Sequence, residues 1–106
     1  MNIDTYQQKT AETAIYKDKL IYPTLGLVGE AGEIANKVKK VLRDNAGELN
    51  ENVRQNLIDE LGDVLWYVAA LAIDLKTELS EVANRNIEKL NSRKNRGVIG
   101  GSGDNR

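Results

Sequence analysis

Apolar residues in this chain return every three or four positions across three long stretches and nowhere alternate strictly. At about 100° per residue, Leu27, Val28, Ala31, Ile34, Ala35, Val38, Val41 and Leu42 share one broad arc. Leu57, Ile58, Leu61, Val64, Leu65, Val68, Leu71, Ala72 and Leu75 form a second, and Leu79, Val82, Ala83, Ile87 and Leu90 a third. A helix with one apolar stripe must bury it against another element, so three stripes in succession predict an all-α, four-helix-type bundle.

The punctuation fits that class. The spacing predicts helix 1 over Asp4 to Tyr16, then a connection through Tyr22 and Pro23, the only proline. Helix 2 is expected from Thr24 or Leu25 to Arg43, and Asp44 to Asn50, with Gly47 and two asparagines, reads as a loop. Helix 3 is expected from Glu51 to Leu75. Thr77 suits the N-cap of helix 4, which continues to about Lys94. Residues 1–96 thus form one helical domain, and the glycine-rich stretch 97–106 is a tail able to fold over a substrate.

Composition removes several chemistries. The chain has no Cys and no His, which excludes thiolate nucleophiles, disulfides, Ser-His-Asp triads, the usual zinc sites and the Glu-x-x-His motif of di-iron bundles. Fifteen basic against 16 acidic residues, a formal charge of −1, argues against a nucleic-acid partner held by bulk charge. No signal-like start and no apolar run of membrane-spanning length is visible, so the default expectation is cytoplasmic. With no Phe and one Trp, aliphatic residues must fill a small core, which favours association with another subunit. Trp66 and Ile73 lie together outside the main arc of helix 3. Either helix 1 or helix 4 covers them, or a second subunit does.

Glu30 and Glu33 are three apart on helix 2, and Glu60 and Asp63 are three apart on helix 3. Side chains at that spacing leave one helix face about a turn apart. Glu30 borders Ile34 and Val41, and Glu60 borders Val64 and Leu71, so packing the two stripes together sets both pairs on one seam. Four carboxylates in a partly desolvated seam repel strongly. A hard divalent cation relieves this, with Mg²⁺ the usual choice beside phosphates and Mn²⁺ able to substitute. The bland alternative is that both pairs are solvated helix faces of a non-enzymatic oligomerisation module. Gly26, Gly29 and Gly32 recur inside helix 2, where each costs about 1 kcal/mol relative to Ala. Close approach of another backbone or of a ligand is the expected return.

The segments Gly26-Leu27-Val28-Gly29-Glu30-Ala31-Gly32-Glu33 and Glu60-Leu61-Gly62-Asp63-Val64-Leu65-Trp66-Tyr67 resemble the MazG-like nucleotide pyrophosphohydrolases, marked by E-x-x-E followed after a loop by E-x-x-D. The likeness extends to Tyr6-Gln7, Thr13-Ala14, Asn86-Ile87-Glu88-Lys89-Leu90, Arg93, Arg96-Gly97 and Gly101-Ser102-Gly103-Asp104, as in a small single-domain branch. The resemblance implies the all-α NTP pyrophosphatase fold and Mg²⁺ held by Glu30, Glu33, Glu60 and Asp63. It also implies cleavage of nucleoside triphosphates between the α and β phosphates, and a homodimer or dimer-of-dimers tetramer. Deoxynucleotides are the expected substrates. A narrower dUTP or dCTP pyrophosphatase of the same superfamily remains a rival.

On that reading Glu33 or Glu60 takes the proton of the attacking water. Lys37 and Lys40 on helix 2, and Lys89, Arg93 and Arg96 at the basic end of the chain, suit the phosphates. Asn86 falls inside the helix 4 stripe, where a buried amide needs a partner, and the resemblance points to the substrate. Tyr67 lies between Glu60 and Asp63 in phase and is placed to touch phosphate or sugar.

Overall fold

A computed structural model describes residues 1–106 as four α-helices: α1 (Ile3–Ala11), α2 (Ile21–Asp44), α3 (Glu51–Asp74) and α4 (Leu79–Asn95). The fold is all-α. α2 and α3 form a long antiparallel hairpin across the 45–50 loop, with Gly26 against Tyr67 at one end and Val41 beside Val53 at the other. α2 packs on α3 alone, whereas α1 packs on both α3 and α4. Asn50 caps α3, its side chain accepting from Val53 N at 2.8 Å, as Asn2 caps α1 through Thr5 N at 2.8 Å.

α1 ends at Ala11 rather than at Tyr16. Beyond it the side chains are drawn into tertiary hydrogen bonds. Thr13 Oγ1 accepts from Trp66 Nε1 at 2.9 Å, and the Tyr16 hydroxyl donates to Asp74 Oδ2 at 2.9 Å. The same Asp74 oxygen accepts from Leu20 N at 2.9 Å, tying the connection down just before α2. Burial first, then Asp74, push the Tyr16 hydroxyl up to about 12. α2 also begins earlier than the proline suggested, at Ile21. Pro23 sits fully buried in the first turn, where its missing N–H removes no intrahelical bond.

α4 begins at Leu79 with Glu78 in the cap position, and Thr77 does not cap it. The open donors are satisfied from α1 instead. Gln7 Oε1 accepts from Leu79 N and Asp4 Oδ1 accepts from Ser80 N, at 2.8 and 2.9 Å. Gln7 Nε2 in turn donates to Thr77 O at 2.8 Å. Two side chains at the start of the chain thereby hold the first turn of its last helix.

The core gathers where these elements meet: Ala69, Ala72 and Leu79, with Tyr6 and Val68 packed against them. α1 covers the back of α3, including the face that carries Trp66 and Ile73. Ile73 shares a cleft with Asp4, Gln7, Gln8 and Ala11, and Trp66 is bonded to Thr13. That face is therefore contacted within the chain, and Trp66 and Ile73 stay partly exposed, each in a cleft.

The uncovered surface lies elsewhere. Of the helix 2 arc, Leu27, Ile34 and Val41 turn toward α3, whereas Val28, Ala31, Ala35, Val38 and Leu42 are exposed. Ile58, Leu61 and Leu65 of α3 are exposed as well. In an antiparallel pair these two rows share one side, which produces a wide apolar face. Only nine of 106 residues are buried. The radius of gyration is 16.7 Å, against about 13 Å for a compact chain of this length. No helix is long and apolar enough to cross a membrane.

Candidate metal centre

The hairpin brings Glu30 of α2 together with Glu60 and Asp63 of α3, one carboxylate oxygen from each lying within 4.8 Å of the others. Helical phase is the cause. Glu30 and Glu60 both stand at the edge of the buried seam, and Asp63 follows Glu60 by one turn. Burial first, then a shared hydrogen bond with the Glu60 carboxyl and the charges of Asp63, Glu60 and Glu33, push the Glu30 carboxyl up. Such a site holds a proton or a cation more readily than three bare charges.

The donor set fits a hard divalent ion. All donors are carboxylate oxygens, the ligand type that Mg²⁺ and other hard cations take. Lys37 Nζ stands 3.7 Å from Glu60 Oε1. Glu60 Oε2 is buried with no hydrogen-bond partner. A buried charged oxygen left unpaired is costly, and a cation would satisfy it.

Glu33 is exposed and stays outside this trio, although its charge reaches Glu30. Lys37 and Lys40 line a cleft of about 380 Å³ with Val41, Asp44, Asn45, Val53 and Asn56. Tyr67 stands beside the acids: the Tyr22 hydroxyl first, then burial and the charges of Glu30 and Asp63, raise its phenol. Its ring fills the space above Gly26, where an added β-carbon would overlap Cε1, Cζ and Cδ1. The expected close approach therefore occurs at Gly26 through a side chain. A β-carbon at Gly29 or Gly32 would meet nothing within 4 Å.

The residues of α4 lie apart from the trio in the protomer, because α4 has no contact with α2. Asn86 is exposed and lines a cleft with Leu75, Thr77, Val82, Arg85 and Lys89. The expectation of a buried amide fails because no neighbouring element covers the outer part of the helix 4 stripe. Lys89 and Arg93 turn to the tail, with Lys89 Nζ and Arg93 Nη2 at 3.2 and 3.3 Å from Asp104 Oδ1. Arg93, 4% exposed, also donates to Asp104 O at 2.8 Å, and Arg96 Nη2 donates to Arg106 O at 2.7 Å. The glycine-rich tail thus folds back on α4. The contact of Asp104 with Lys89, 15 residues away, leaves no local signal in the sequence. Trp66 was not placed at the site, although its position one turn beyond Asp63 was a usable signal.

Two acidic helix faces of a hairpin, converging on a single point with oxygen donors only, can be compared with known proteins. The profile of the MazG nucleotide pyrophosphohydrolase domain matches residues 23–98. The chain belongs to the MazG family. The matched MazG segment contains α2 from Pro23 onward, α3, α4 and all four acids; α1, the first two residues of α2 and the last residues of the tail lie outside it. The chain is also 56% identical to the Gene 37 protein of Mycobacterium phage L5, with both proteins covered in full. No solved structure matches. MazG proteins act on nucleoside triphosphates and are generally metal-dependent, and the trio is an acidic group able to bind a metal.

Proposed function

We propose that this protein hydrolyses nucleoside triphosphates, deoxynucleotides foremost, to the monophosphate and pyrophosphate with the help of Mg²⁺, Mn²⁺ being able to replace it. The observation that carries this reading is the convergence of Glu30, Glu60 and Asp63 with the orphaned Glu60 Oε2 among them. In this reading those three residues hold the ion. A divalent ion held there would supply charge neutralisation for the phosphate oxygens and would ease ionisation of the attacking water. Glu33, exposed one turn from Glu30 and outside the trio, accepts the proton of the water as it attacks the α-phosphorus. Lys37 and Lys40 draw the leaving pyrophosphate along the cleft they line, and Tyr67 orients the α-phosphate or the sugar.

Asn86, Lys89, Arg93 and Arg96 are carried on a helix that does not touch α2. Asn86 and Lys89 serve a substrate held by a neighbouring protomer, in a homodimer or a tetramer built from two dimers, and Arg93 and Arg96 join them only when the tail that they hold lets go. The open apolar face of Val28, Leu42, Ile58 and Leu61 supports such an assembly, since exposed patches of this kind mark interfaces.

The test is product analysis with a panel of ribo- and deoxynucleoside triphosphates, with and without Mg²⁺. Monophosphate and pyrophosphate should appear only with metal and vanish in Glu60→Gln and Asp63→Asn. Release of single orthophosphate would refute attack at the α-phosphorus.

A further inference from the structure

We infer that the cleft walled by Thr13, Glu30, Asp63, Trp66 and Tyr67 is the nucleoside subsite, with the indole of Trp66 as the platform on which the base stacks. The inference rests on the hydrolase reading and adds to it the direction in which the substrate lies. The cleft measures about 350 Å³, at the small end of the ~300–1,000 Å³ range of ligand clefts. It shares two walls, Glu30 and Asp63, with the acidic trio. On the other flank Lys37 contacts Glu60 and leads to the cleft containing Lys40. One side of the trio is therefore aromatic and the other cationic, matching the two ends of a nucleoside triphosphate. The base would point toward the Gly26 end of the hairpin and the outer phosphates toward the Asn45 end.

Trp66 is held as a fixed surface. Its Nε1–H donates to Thr13 Oγ1 at 2.9 Å, and the Thr13 hydroxyl is itself committed to Thr10 O at 3.1 Å. The Tyr67 ring meets the indole edge-on, with centroids 5.0 Å apart and an interplanar angle of 84°. Tyr67 is wedged in place over Gly26. A platform already ordered before binding loses little freedom when a base stacks on it, and such stacking tolerates any base. With its N–H already engaged, the indole offers a face and no hydrogen-bond readout. The subsite accordingly selects for the presence of a base more than for its identity.

Trp66 is the only tryptophan in the chain, so its fluorescence reports this cleft alone. The full-length protein with Mg²⁺ is titrated with an α,β-methylene deoxynucleoside triphosphate and, separately, with inorganic tripolyphosphate, each followed by calorimetry and by emission. The expected result is that both bind but only the nucleotide analogue quenches Trp66. Trp66→Ala should weaken the analogue about tenfold and leave tripolyphosphate within twofold, which also serves as the check on folding. An analogue that binds without changing the emission overturns the subsite, as does equal quenching by tripolyphosphate. If neither ligand binds, the hydrolase reading fails and the subsite with it. Should Trp66→Ala not fold, the wild-type emission decides alone.

Discussion

A β-carbon at Gly26 would collide with the Tyr67 ring, whereas one at Gly29 or Gly32 would enter open space. The three glycines of one helix should therefore part company on substitution. Gly26→Ala forces the ring away and should cost about 1–3 kcal/mol. Gly29→Ala and Gly32→Ala should each raise stability by about 1 kcal/mol through helix propensity. Thermal unfolding of the metal-free variants measures the difference. At the other end of the chain, hydrogen bonds from Lys89 and Arg93 hold the Asp104 carboxyl below its ordinary value of 3.8. A depressed folded value means the tail contact contributes stability above the unfolded value and loses it as pH falls through the folded one. NMR signals of the residues around Asp104 should shift toward random-coil positions as pH falls through its folded value, while Val98 and Ile99, whose carbonyls accept from Arg106, change less. In Asp104→Asn the residues around that position should be loosened throughout. The approach of Glu30 to Glu60 and Asp63 is legible at this scale because spacing and phase are local properties of a helix, whereas Glu33, expected with them, stays outside the trio. Thr13 at the edge of Trp66 was not, because a hydroxyl accepting an indole N–H 53 residues away leaves no periodic trace.

At the scale of elements, the unusual connection is between α1 and α4. Gln7 bonds Leu79 N and Thr77 O, and both it and Leu79 are buried. Gln7→Ala leaves those groups without partners and should cost about 1–3 kcal/mol. This would lower the midpoint of thermal unfolding by several degrees, at roughly 4–8 °C per kcal/mol for a domain of this size. Gln7→Glu, which keeps the acceptor for Leu79 N, should recover part of the loss. Helix boundaries were readable where capping is local, as at Asn50. They were misread where a distant side chain does the capping, as at Thr77, or where tertiary bonds interrupt a pattern, as at Thr13 and Tyr16. Proline breaks helix interiors, so Pro23 reads as a boundary in the sequence, but a first turn accepts it.

For the whole molecule, the periodicity of α2 was read as one arc, and its width held the information that mattered. An arc spanning Leu27 to Leu42 is too broad for one neighbour. α3 takes three of its eight residues, and Val28 and Leu42 remain 67% and 68% exposed. The proposed assembly makes this measurable. Sedimentation should find a dimer or larger, and Val28→Asp or Leu61→Lys should shift it toward monomer while lowering thermal stability. A wild-type monomer at high micromolar concentration would remove the interface. Sequence alone could not divide the arc, because phase tells which residues share a side and not how many partners that side has.

Because α3 is the only helix that α2 packs on, with the stack of Tyr22 on Tyr16 as a further tie at its start, α2 beyond Tyr22 can peel outward without disturbing the knot that joins α1, α3 and α4. Glu30 rides on the helix that leaves, and Glu60 and Asp63 stay behind. An ion bridging them acts as a stitch through the one seam free to open. Amide hydrogen exchange along Leu27 to Val38 should accordingly slow when Mg²⁺ is added, while the amides of Ala69 to Ala72 keep their rate.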